Sequence, residues 1–286
     1  MLRGLAAIVE AYLIYWPVVY LIARKGFGFS REWAAPLASG VSICGVSAAI
    51  ATGGAIRARP QVPILVSSLI VVFAAIEVLI LPVIAQTFMA HEPMVAAAWM
   101  GLAVKSDGAA LAAGGIAQSL VQAKAAAEGI TWQPGWMLAV TVTVKVFIDI
   151  FIGVGAFILA YIWTNHVNPR AGAQKAKVIE IWERFPKFIL GFVAIFLVAL
   201  ALALGTTAGS SGKLTTAIGD ANVLRLIFFV LTFFSIGVMS NFRQLWQEGF
   251  GKLAAVYIVA LFAFVVWVGF VISWFFFAGV KPPLAS

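Results

Sequence analysis

An all-α, polytopic membrane helix bundle is the fold this 286-residue chain encodes. Apolar residues make up 63% of the composition, charged residues only 10%, and the mean hydropathy is +1.04. The apolar residues gather in about eight long stretches, close to the ~20 residues a helix needs to cross the hydrocarbon of a bilayer. Several charges, notably Lys105, Asp107, Lys145 and Asp149, sit inside those stretches rather than between them. Charge at that depth is costly, so it marks a buried pair or a functional route. Residues 1–286 read as one integral membrane domain.

The first span covers about residues 4–23 and holds Glu10 and four aromatic residues, Tyr12, Tyr15, Trp16 and Tyr20. A short basic turn with Arg24, Lys25 and Arg31 follows. The second segment, about 33–56, is rich in small residues: Ser39, Gly40, Ser42, Gly45, Ser47, Gly53 and Gly54. Such residues permit close helix approach, and glycine also lets the backbone open where it lines a cavity. The third span, about 62–87, carries Glu77 and Pro82. The fourth, about 94–120, is interrupted by Lys105, Ser106, Asp107 and Gly108. The fifth, 136–163, carries Lys145 and Asp149. A polar connection over 164–187 comes next, then a sixth span at 188–204, a seventh at 223–240 and an eighth at 253–278. Trp33, Trp136, Trp163, Trp182, Trp246 and Trp274 fall near segment ends, as an interfacial aromatic belt does.

Composition excludes several classes. A net charge of +8 would suggest nucleic acid in a soluble protein, but here the basic residues lie in the connections, and no nucleic acid is expected. One cysteine, Cys44, rules out an intrachain disulfide or a cysteine metal cluster. No nucleotide loop, Ser/His/Asp set or HExxH motif is present, so neither an enzyme nor a cofactor is expected. If all eight segments cross, the side with the polar connection collects ten basic residues, the connection's own included, against seven on the other side with Arg57 and Arg59 among them. That bias places the connection in the cytoplasm. Whether segments 33–56 and 94–120 cross or re-enter stays open.

Four constellations carry the chemistry. Lys145 and Asp149, four apart, share a helix face; they either neutralise one another for packing or balance an anionic substrate. Lys105 and Asp107 flank a helix break, where exposed half-helix ends attract ions. The run Ser39 to Ala49 offers hydroxyls and free N–H groups to an oxyanion, or serves tight packing. Glu77 and Glu10 are lone carboxyls able to carry a coupling proton, or simply hydrogen-bonded. Asn241 and Arg243 form a polar helix end. The substrate-binding candidates are thus Ser42, Gly45, Ser47, Lys105, Ser106, Lys145 and Asn241, and the ion-coupling candidates Glu77, Asp107 and Asp149.

The run Gly40-Val41-Ser42-Ile43-Cys44-Gly45-Val46-Ser47-Ala48-Ala49 resembles the Gly-x-x-Ile-Cys-Gly-x-Ser-Ala motif of the YeiH-type family, which is named for sulfate export. Residues 234–243, Phe-Ser-Ile-Gly-Val-Met-Ser-Asn-Phe-Arg, are similar to that family's segment near the C-terminus. The resemblance implies a bacterial inner-membrane carrier built of inverted repeats, related to sodium/proton antiporters and bile-acid symporters. It implies alternating access for a sulfur oxyanion or other small anion, coupled to a proton or sodium. A monovalent cation/proton antiporter and a non-transporting accessory subunit are the alternatives. Family members carry several helices before the Ile-Cys-Gly segment and this chain carries one, so an incomplete N-terminal part is expected. A homo-oligomer, or helices supplied by another chain, would be its partner.

Overall fold

A computed structural model describes residues 2–167, 188–205, part of 216–238, and 250–284. The seventh expected span, residues 168–187 of the polar connection, and Asn241 and Arg243 lie largely or wholly outside the described residues. Within them the chain is helical, with one isolated bridge, Trp132 to Leu284. Among the described residues four helices are long and apolar enough to cross a membrane: α1 (Leu5–Gly26), α4 (Gln61–Met89), α7 (Trp136–Val167) and α9 (Phe250–Phe277). Between them run α2 (Arg31–Ser42), α3 (Val46–Ala55), α5 (Pro93–Ala103) and α6 (Asp107–Ala127), with α8 (Phe188–Gly205) after α7.

Outward faces are apolar and the charges point in, which is the arrangement hydrocarbon solvent requires. Leu79 is 73% exposed and Phe275 80%, whereas Glu10 is 0%, Glu77 1%, Lys105 1% and Lys145 2%. Small residues line the helix contacts. Gly101 and Gly114 both pack on Thr141, leaving no room for a side chain at either position.

The two segments with internal breaks fold back on themselves instead of running on as single helices. Arms α2 and α3 fold back on each other around Ile43-Cys44-Gly45. Thr52 Oγ1 donates to Ser39 Oγ (2.7 Å), and Gly40 lies opposite Ala49. At the open end of this hairpin, Glu32 accepts from the Arg59 backbone N–H (2.6 Å) and pairs with its guanidinium (3.2 Å). Neither arm, at 12 and 10 residues, spans a bilayer. Arms α5 and α6 turn back likewise around Val104-Lys105-Ser106. Their open end is marked by His91 against Glu128 (3.7 Å), and Thr141 of α7 wedges between them.

The hairpins enter from opposite ends of the bundle. The first starts where α1 finishes and ends where α4 begins; the second starts and ends where α4 finishes, with Lys124 donating to Gln86 O. The order helix, then hairpin, therefore occurs twice in opposite senses, α1 with α2–α3 and α4 with α5–α6. The tips meet inside the bundle. A Cβ at Gly45 would collide with Lys105 O, and Gly45 itself has φ +76°, a conformation glycine adopts without strain.

This corrects one expectation. Because the first hairpin re-enters, Arg57 and Arg59 lie at the same end as Arg24, Lys25 and Arg31, not opposite them. Lys252 is there too, stacked over Phe29 (5.0 Å). The other end has Lys124 and Lys281 beside Glu92 and Glu128, with Gly279 N–H donating to Glu92 (2.8 Å).

Candidate functional site

The meeting point of the two tips is where the buried charge collects. Each tip presents the carboxyl end of a descending arm and the amino end of a returning one, so partial negative and positive charges lie side by side. A lysine serves each descending arm. Lys145, from α7, donates to Ile43 O at the end of α2 (3.2 Å). Lys105 turns back to Leu102 O at the end of α5 and lies over the Tyr15 ring, 4.5 Å from its centroid. Cations are favoured at helix carboxyl ends for the same dipole reason.

Glu77 ties the second tip to two long helices. From α4, one carboxylate oxygen accepts the Lys105 backbone N–H (2.9 Å) and the other the Tyr257 hydroxyl of α9 (2.7 Å). Tyr257 stacks on Phe73 (4.6 Å), which fixes its ring. On the opposite flank of Lys105 stands Glu10 of α1, close enough to feel the ammonium. Its neighbour Tyr15 gives its proton to Val265 O (2.8 Å), and neither Glu10 oxygen has a hydrogen-bond donor among the described residues. Glu10 and Tyr15 occupy a widened π-helical turn of α1, Glu10–Tyr15, and Val265 closes a similar turn of α9, Leu261–Val265. Such turns release backbone carbonyls and recur at functional sites.

The other flank belongs to Cys44, Asp107 and Asp149. Their ligand atoms lie within 4.8 Å of one another. The Cys44 thiol meets Ser47 Oγ (2.7 Å), and Asp149 is within hydrogen-bonding range of both Asp107 and Cys44. A hydrogen bond between two carboxyl groups needs a proton on one of them, because an ionised carboxylate only accepts. Asp107 is the first residue of α6, where the helix dipole favours negative charge. The Lys145 ammonium acts on both Cys44 and Asp149. A divalent cation would have to enter against that charge, so the trio makes a poor metal centre.

Most of the residues singled out from sequence therefore converge. Gly45 and Lys105 form the contact between tips, Ser106 opens α6 with its carbonyl bound by Ala110 N–H (2.7 Å), and Ser47 opens α3. Ser42, wholly buried at the end of α2, has a hydroxyl with no partner among the described residues. Lys145 and Asp149 do not pair directly as their spacing suggests; Lys145 reaches across to the first tip and Asp149 turns to Asp107. Sequence reasoning missed Tyr15, Tyr257 and Thr141. Tyrosine in the middle of an apolar span was the available signal, since a buried phenol needs a partner.

A family model described as "Conserved hypothetical protein 698" matches residues 3–275. The chain belongs to this family. It is the family to which the YeiH-type resemblance pointed. The chain is similar to the UPF0324 membrane protein NE0724 of Nitrosomonas europaea, 43% identical over 284 residues, covering 99% of this chain and 58% of that protein. UPF0324 membrane protein RB9488 of Rhodopirellula baltica is 34% identical over 251 residues, 86% of this chain and 43% of its own. An uncharacterized protein of Archaeoglobus fulgidus is 45% identical over 174 residues, 52% of this chain and 92% of its own. The chain thus spans about half the length of the UPF0324 membrane proteins it matches. No solved structure matches.

Proposed function

We propose that this chain forms the transport core of a secondary carrier that moves a small oxyanion, sulfate or a related sulfur oxyanion, together with protons by alternating access. The observation that carries the reading is the apposition of two oppositely inserted hairpin tips around buried charge. Irregular backbone at membrane depth is tolerated only where protein buries it or where it lines a cavity, and carriers place their substrate sites at such broken helices. The amino ends of α3 and α6 supply N–H groups for an anion, Ser42 and Ser47 supply hydroxyls, and Lys145 supplies charge. Asp107 and Asp149 are the built-in competitors. Ionised, they occupy the positive helix ends; protonated, they yield the place to the substrate. Glu77 holds the second tip in register while this exchange occurs.

In this reading the Arg24 end faces the cytoplasm of a bacterial inner membrane, which its basic residues support through the positive-inside rule. When fewer protons than negative charges accompany the anion, an inside-negative potential drives it outward.

One observation favours a second reading. Four carboxyl groups, Glu10, Glu77, Asp107 and Asp149, face two lysines at the tips, a balance suited to a cation/proton antiporter. Uptake of labelled sulfate and sulfite into proteoliposomes under an imposed pH gradient separates the two. The anion carrier predicts saturable flux that Lys145→Met abolishes in protein that still folds. The antiporter predicts no anion flux and proton-driven sodium exchange that survives in Lys145→Met with a shifted pH profile. Folded protein that moves neither sinks both readings.

A further inference from the structure

Away from the tips, where the last turns of α1 meet the last turns of α7, a cleft of about 390 Å³ opens at the Arg24 end. Its walls are apolar and flat. Trp16 and Tyr20 stack at 5.1 Å with their planes 10° apart, and Leu159 and Ile162 face them across the gap. Its rim is basic, made by Arg24, Lys25 and Arg31, and among the described residues no carboxylate lines it. Glu32, the acid nearest in sequence, is held by Arg59. Arg24 gives one N–H to Phe29 O (2.6 Å), which fixes the guanidinium and leaves its other donors available.

Neither a bare ion nor an apolar solute accounts for both halves of this cleft. An inorganic anion has no use for the aromatic wall, and an apolar molecule none for three cations that have no counter-charge in the cleft among the described residues. A membrane phospholipid uses both, because basic pockets between helices at the cytoplasmic face take phosphate headgroups and aromatic residues at that depth lie along the upper acyl chain. The volume falls in the ~300–1,000 Å³ range of small-molecule sites. We propose that this cleft is a binding site for an anionic phospholipid, with its phosphate on Arg24, Lys25 and Arg31 and one acyl chain along the Trp16–Tyr20 wall. The three positive charges select an anionic headgroup over a zwitterionic one. The bound lipid fastens α1 to α7 beside the base of the first hairpin. None of this depends on which ion the tips carry.

Native mass spectrometry of the delipidated full chain tests it, with phosphatidylglycerol, phosphatidylcholine and inorganic phosphate as probes. The wild type should retain phosphatidylglycerol in preference to phosphatidylcholine. Lys25→Gln/Arg31→Gln, both exposed positions, should weaken that retention about tenfold, while Lys124→Gln/Lys281→Gln at the other end leaves it unchanged. A second variant, Ile162→Trp, fills the cleft without touching the charges and should lower retention as well. Equal retention of phosphatidylcholine, unchanged phosphatidylglycerol in Lys25→Gln/Arg31→Gln, or displacement of the lipid by inorganic phosphate would each overturn the site.

Discussion

Gly45 shows how a single residue sets the architecture. With φ at +76° and Lys105 O occupying the place of a Cβ, it meets two separate requirements that only glycine satisfies. Gly45→Ala should cost about 2–4 kcal/mol from strain and overpacking together. Gly54→Ala, with nothing within 4 Å of its Cβ, should be close to neutral. Thermal unfolding in detergent compares them, and equal melting temperatures would mean the tips are not in contact. Glu77 is the second test at this scale. As an amide it cannot accept both donors with one oxygen and turns an NH₂ toward the other. Glu77→Gln should therefore destabilise by about 1.5–3 kcal/mol and Tyr257→Phe by about 1. The reverse order in the same melting experiment contradicts the assigned bonds. Much of the tip chemistry was legible at this scale, since Lys105, Asp107, Lys145 and Asp149 stand out in an apolar chain. Their partners were not. An i, i+4 spacing makes Lys145 and Asp149 neighbours, but Ile43 O lies 102 residues away in sequence and captures the lysine.

At the scale of the element, the breaks were readable and the folding back was not. Glycine and serine at 39–47, and Lys-Ser-Asp-Gly at 105–108, announce that each helix is interrupted. A segment of about 25 residues matches one crossing or two short arms equally well, and local pattern cannot choose between them. Long-range bonds decide it: Thr52 to Ser39 within the hairpin and Arg59 to Glu32 at its base. A direct check is available. With Cys44→Ser to remove the native thiol, Ser39→Cys/Thr52→Cys should form a disulfide on mild oxidation. In a continuous helix those positions would stand about 20 Å apart, far beyond the reach of an S–S bond. Failure to cross-link in folded protein would restore the continuous helix.

Across the whole molecule, the hairpins redraw the topology. Loop charge counted on eight crossings gives a weak bias because it assigns Arg57 and Arg59 to the wrong face. Returned to the Arg24 end, they concentrate basic charge there, while Lys124 and Lys281 share the far end with Glu92 and Glu128. In cells, a membrane-impermeant maleimide should label Glu128→Cys and leave Arg59→Cys unmodified until the membrane is opened, both in the Cys44→Ser background. Labelling of both positions from the same side would mean that the second segment crosses after all. The repeated order of helix and hairpin comes without a matching sequence at the tips. The two tips are Ile-Cys-Gly and Val-Lys-Ser, and opposite insertion needs matching shapes rather than matching residues.

The contact between Gly45 and Lys105 O also has an electrical meaning. In the carrier proposed above each hairpin is a wedge driven in from its own face, and water that followed the two wedges inward would bring the aqueous phases to either side of one backbone contact. The membrane potential would then fall across that contact instead of along some 30 Å of hydrocarbon. A charge displaced by a few ångströms there traverses most of the field, a change of about 2.3 kcal/mol per 100 mV. Small movements of Lys105 or Asp107 would thereby be as sensitive to voltage as long movements elsewhere.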